Sequence, residues 1–167
     1  MIFPQLLTLL LLAVTVAARC TIREDTDFTL TTFNATSPSL NNTLLTVSTR
    51  TVGPVGIHLP SPLLAHFHAG GLYRRVVDQK KVFMYQGYLT PAGGLEFAAH
   101  PPANAVTGPF EIGCDYYGRH FLSVKGKDDW SACRLSGSPG RWKIVSGAKK
   151  DKACSVRIRW LWVDYVQ

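Results

Sequence analysis

No G-x-S-x-G occurs in the 167-residue chain, which removes the nucleophile elbow of serine hydrolases. Ser136-Gly137-Ser138-Pro139-Gly140 is a turn sequence instead. Neither a Walker loop nor a dinucleotide fingerprint is present, so no glycine-rich phosphate cradle is encoded. The absence of C-x-x-C, with wide and irregular cysteine spacing, argues against a structural zinc site. Beyond the first residues no apolar run is long enough to span a bilayer, and no apolar tail marks a lipid anchor. His66-x-His68, with His58 upstream, is the one metal-like cluster, but no acidic third ligand stands near it in sequence. A small ribonuclease needs a general base, a general acid and cations for the phosphate. Glu96, His100, Glu111, Arg119 and His120 supply those residue types without any motif that brings them together. The expectation is therefore a protein without catalytic residues, metal or cofactor.

What is present points to secretion. The opening MIFPQLLTLLLLAVTVAARC has an apolar run from Leu6 to Val16 and small residues at Ala17-Ala18. It reads as a signal peptide over residues 1–18, leaving residues 19–167 as a single domain. A membrane anchor competes, but the run is shorter than the ~20 residues a spanning helix needs. The four cysteines all survive that cleavage, in keeping with an oxidising compartment. They allow three connectivities. Cys133–Cys154 would tie neighbouring strands, leaving Cys20 to pin the N-terminus through Cys114. The sequons at Asn34 and Asn41 lie in a Thr/Ser-rich segment where glycans would need an exposed loop. The formal charge of +7 is carried after His66. Such a basic half can meet nucleic acid, anionic polysaccharide or another anionic surface such as an acidic membrane, and a solvated basic surface is the plainer reading. Its lysines do not alternate with aromatics as a single-strand nucleic-acid binder would prefer, so no nucleic-acid partner is expected.

Along the chain, short runs of Thr, Val, Leu and aromatics alternate with Gly, Pro, Ser and Lys clusters, the pattern of antiparallel strands and tight turns. Strands are expected over Phe28–Asn34, Leu44–Val52, Gly56–Pro60, Leu72–Val77, Val82–Tyr88 and Leu95–His100. Further strands are HFLSV, RWKIV and the C-terminal CSVRIRWLWVDYV, whereas SPLLAHFHAGG suits a helical turn. Runs near Leu44, Val82 and His120 recur at 38 residues, and Phe110 and Trp142 open similar strands. Three such repeats favour a β-trefoil-like barrel over a β-sandwich within a disulfide-stabilised all-β class. On the last strand Val156, Ile158, Trp160 and Trp162 share one face, which predicts that both tryptophans fill the core.

The segment GKDDWSAC, preceded by FLSV and followed by GRWKIVSG, resembles the fungal secreted cell-wall proteins of the PhiA type, named for phialide development. The features that carry the likeness fall on Gly126, Lys127, Asp128, Ala132, Cys133, Trp142, Ile144 and Cys154, with Cys20 near the start. They cover the last third of the chain well; Cys114 and the basic C-terminal half depart from the pattern. The resemblance implies a non-enzymatic protein of the fungal wall or culture fluid, linked to conidium-forming structures or stress. The residues carried over look structural: a turn, a disulfide and a core tryptophan. A lectin-like or effector-like module is the alternative, favoured if Trp130, Tyr116 and Tyr117 face solvent. A small ribonuclease is the second alternative, requiring a His/Glu pair in a basic cleft.

Overall fold

In the computed structural model, residues 23–54, 61–137, 140–147 and 152–166 are described. Cys20, His58, the signal-peptide expectation and the strand expected over Gly56–Pro60 lie outside them. The described residues form an antiparallel sheet of twelve strands, with one 3-10 turn at Pro38–Leu40. The strands are β1 (Phe28–Ala35), β2 (Leu45–Ser48), β3 (Thr51–Pro54) and β4 (Ala65–His68). Then come β5 (Gly71–Asp78), β6 (Lys81–Leu89), β7 (Leu95–Ala98) and β8 (Phe110–Cys114). The last four are β9 (His120–Val124), β10 (Trp130–Arg134), β11 (Trp142–Ser146) and β12 (Val156–Tyr165). No helix among the described residues is long and apolar enough to cross a membrane.

The all-β class holds. Several expected elements are redrawn by turn chemistry. The run Leu44–Val52 divides into β2 and β3, because Thr49 takes a left-handed φ of 57° and Ser48 pairs directly with Thr51. Such a two-residue reversal suits the twist of an antiparallel pair. SPLLAHFHAGG contributes β4, which pairs with β5 from Ala65↔Arg74 to His68↔Gly71. The turn expected at Asp78-Gln79-Lys80 forms, with Gln79 and Lys80 both left-handed.

Ladders join β8 to β9, β9 to β12, β12 to β1, β1 to β4 and β4 to β5. No ladder joins β5 to β8 among the described residues, so the sheet is not closed and the barrel of the trefoil expectation is not established. The hairpins β2–β3, β6–β7 and β10–β11 nevertheless meet one another. Thr51 of β3 pairs with Glu96 of β7, and Gly94 bridges Val145 of β11. Beside them Gly53 of β3 lies so close to the Trp142 carbonyl that a Cβ would collide with it.

The 38-residue spacing does not mark equivalent strands. β2 and β6 both open a hairpin that meets the others, but His120 opens β9, and the third such hairpin begins at Trp130. Phe110 and Trp142 are not of one class either, since β8 pairs with β9 whereas β11 is half of a hairpin with β10.

One core serves the whole sheet, with Leu30, Leu45, Leu72, Leu95, Leu122 and Ile144 fully enclosed. Trp130 is 1% exposed and donates its indole N–H to the Leu122 carbonyl at 3.2 Å, which satisfies the one polar atom that so large a core residue brings with it.

Candidate functional site

The last strand departs from its sequence pattern. Val156 and Ile158 are buried as expected, but the next buried residues are Leu161 and Val163. Trp160 and Trp162 are only half-buried and fall outside the buried core. The cause lies on the neighbouring strand. Phe28, Leu30 and Thr32 of β1 point inward, then Asn34 adopts a left-handed φ of 53°. Asn tolerates that conformation better than other side-chain-bearing residues. Alternation restarts at Ala35, which pairs with Ile158 and packs on the core. Phe33 is left outside, paired with Trp160.

The displaced rings make a shelf. Phe33 stacks on Trp162 with centroids 3.6 Å apart and planes at 15°. Trp160 lies nearly parallel to Phe33, at 6.0 Å and 6°. Phe121 of β9 extends the row, 5.8 Å from Trp160. Its ring occupies the space where a Cβ on Gly113 would stand. Aromatic pairs of this kind contribute about 0.5–1.5 kcal/mol each beyond their buried area.

Charged groups frame the rings. The Arg119 guanidinium sits 4.6 Å from the Trp162 centroid, 5.2 Å from Tyr117 and 5.6 Å from Phe33. Its Nε donates to Asp115 Oδ2 at 2.7 Å, while Asp115 Oδ1 accepts the backbone N–H groups of Tyr117 and Arg119, each at 2.9 Å. Desolvation pushes the Asp115 carboxyl up, but its bonds to Arg119 and to the Tyr117 N–H hold it below the ordinary value. This turn presents Tyr116, 94% exposed, and Tyr117 to solvent. At the other end Trp160 Nε1 donates to Asp128 Oδ2 at 3.0 Å, with Arg159 5.3 Å from the Trp160 ring. The Trp162 Nε1 is buried and finds no acceptor among the described residues. Half-buried rings flanked by carboxylate, guanidinium and phenol groups are suited to a ligand with apolar faces and polar edges.

The motif residues take turn, core and disulfide places, except that Trp142, expected in the core, packs against it only half-buried. Gly126 turns the chain with φ 70°, Ala132 and Ile144 are in the core, and Trp142 is half-buried under the Arg134 guanidinium. Lys127 closes the same turn by donating its backbone N–H to Val124. Asp128 alone gains a second part, through Trp160. Cys133 and Cys154 form a disulfide, and Cys114 is also disulfide-bonded. Asn34 is exposed, whereas Asn41 is half-buried and its Oδ1 accepts the Ala35 N–H at 3.3 Å.

The other expectations divide. Trp130 is a core residue, so of the three lectin markers only Tyr116 and Tyr117 face solvent. The ribonuclease residues do not converge: Glu96 accepts from Tyr88, His120 meets Tyr165 edge-on, Arg119 is held by Asp115, and His100 and Glu111 are exposed. Acids do reach the His66-x-His68 pair, from far in sequence. Asp27 lies 3.6 Å from His66 Nδ1 and Asp25 3.0 Å from His68 Nδ1. No group of three side chains suited to a metal forms among the described residues. The chain matches no family model, no curated protein and no solved structure.

Proposed function

We propose that this is a non-enzymatic secreted protein that associates with fungal cell-wall polysaccharide, its contact being the shelf of Phe33, Trp160, Trp162 and Phe121. The observation that carries the reading is the outward turn of Trp160 and Trp162 at Asn34, which leaves large rings half-buried instead of in the core. Pyranose rings offer axial C–H faces to such surfaces and hydroxyls to the carboxylate, guanidinium and phenol groups around them. The exposed Arg157, Arg159 and Arg119 add attraction for anionic wall polymers. Extracellular location and glycans at Asn34 and Asn41 follow from the signal-like opening and the sequons. The link to phialide and conidium development or stress rests on the resemblance of residues 126–154 alone.

A second reading, a lectin-like or effector-like module for a foreign glycan, is favoured by the exposed Tyr116-Tyr117 turn beside Arg119. Retention of the mature protein on chitin, β-glucan and mannan, at low and high salt, tests both. Retention that survives high salt and falls about tenfold in Trp160→Ala supports the shelf, since loss of stacking is not screened. Competition by one free sugar selects the lectin-like reading. Retention on none of the three, or retention abolished by salt and unchanged in Trp160→Ala, overturns the shelf as the contact.

A further inference from the structure

The outer half of the β5–β6 hairpin stands apart from the rest of the sheet. β4 covers β5 only from Gly71 to Arg74, and β7 covers β6 only from Gln86 to Leu89. Among the described residues, 75–84 therefore pair only with each other, in the register Arg75↔Met84, Val76↔Phe83, Val77↔Val82 and Asp78↔Lys81. At about 3.3 Å per residue this ribbon projects on the order of 15 Å. Its reversal is tight, with Gln79 and Lys80 at φ 44° and 67°, the two-residue form that matches strand twist and holds a hairpin straight.

The tip carries large apolar side chains that are exposed to solvent. Val77 is 68% exposed, and Val82, Phe83 and Met84 are exposed with it. Directly opposed residues share a face, so Val77, Val82 and Met84 lie on one side of the ribbon and Val76 and Phe83 on the other. Around them stand Arg75, Lys80 and Lys81 against the single acid Asp78.

We infer that this hairpin is an interfacial anchor that inserts its tip among the headgroups of an anionic membrane. A groove on a partner protein covers one face of a ribbon, whereas a lipid interface surrounds both. Two copies of a tip with three cations and one acid repel each other at close range. A hydrated polysaccharide satisfies the cations but leaves the valines, Phe83 and Met84 in water. An acidic bilayer surface takes both, cations at the phosphates and apolar side chains at the acyl boundary. The inference stands apart from the polysaccharide shelf, which uses other strands.

Flotation of the purified mature protein with phosphatidylcholine vesicles, with and without phosphatidylserine, tests it. The protein is expected to float with the phosphatidylserine vesicles and stay behind with phosphatidylcholine alone. Lys80→Glu/Lys81→Glu is expected to reduce partitioning by about tenfold or more, given the attraction of each cation near an acidic surface. Val77→Ser/Phe83→Ser removes the insertion term and is expected to reduce it similarly. Both pairs are solvent-exposed, so circular dichroism and polysaccharide retention stay at the unmodified level. Flotation with neither vesicle, equal flotation with both, or flotation indifferent to the variants overturns the anchor. So does a dimer in sedimentation equilibrium that Val77→Ser/Phe83→Ser dissociates, which assigns the tip to a second copy.

Discussion

His66 shows how one side chain ties the stability of the fold to pH. Its ring is 1% exposed in β4, Nδ1 finds no hydrogen-bond partner among the described residues, and Asp27 stands 3.6 Å away with Tyr73 against the ring. Burial lowers its proton affinity below the ordinary value near 6.5, and the Arg75 charge lowers it further. Asp27 and Asp25 oppose that shift without cancelling it. The unfolded chain therefore takes up a proton at higher pH than the folded one. The stability associated with neutral His66 is fully present above pH 6.5 and is lost as pH falls from there through the folded value. Urea midpoints measured downward from pH 7 are expected to fall, and His66→Gln is expected to flatten that limb. An identical acid limb in the variant would show that other groups carry it. The surroundings of His66 could not be read from sequence, because Asp27 and Tyr73 reach it by strand pairing.

At the scale of elements, Asn34 decides the shelf. Strand existence was legible wherever Thr, Val and aromatics ran between turn residues, as in β1, β6, β9 and β12. The face of Trp160 and Trp162 was not. A period of two assigns a side to every residue only while the strand stays regular. The irregularity sits on β1, where a left-handed residue turns Phe33 outward beside Trp160. A sequon fits that position as well as any other Asn would, so its conformational part left no separate mark. Gly adopts φ 53° freely, whereas a β-branched residue there costs about 1–2 kcal/mol. Asn34→Gly is expected to keep the unfolding free energy close to the parent, and Asn34→Val to lower it by roughly that cost. Both variants lack the sequon, so the comparison is free of any glycan effect. Equal stability of the two would remove the left-handed turn as the cause of the shelf.

Across the whole molecule, the β2–β3, β6–β7 and β10–β11 hairpins meet one another through Thr51↔Glu96 and Gly94↔Val145. An all-β class followed from composition, because turn clusters leave local signals, and the spacing left three cysteine connectivities, of which the one containing Cys133–Cys154 is formed. The equivalence of the hairpins did not follow, since the connections between strands differ in length and place the third hairpin later than a constant repeat would. Its physical mark is instead a close approach of backbones, where Gly53 of β3 lies against the Trp142 carbonyl of β11. A side chain there would meet the Trp142 carbonyl, part of a backbone already paired with Arg134 of β10. Neither strand can give way alone, because β3 is laddered to β2 and paired with β7 at Thr51↔Glu96. Gly53→Ala is therefore expected to cost about 1–3 kcal/mol, the usual range for overpacking a well-fitted contact. Amide exchange should then quicken in β3, β7 and β11 together, while the β1–β12 ladder and the shelf on it keep their protection. Faster exchange confined to β3 would mean that the three hairpins do not act as one unit.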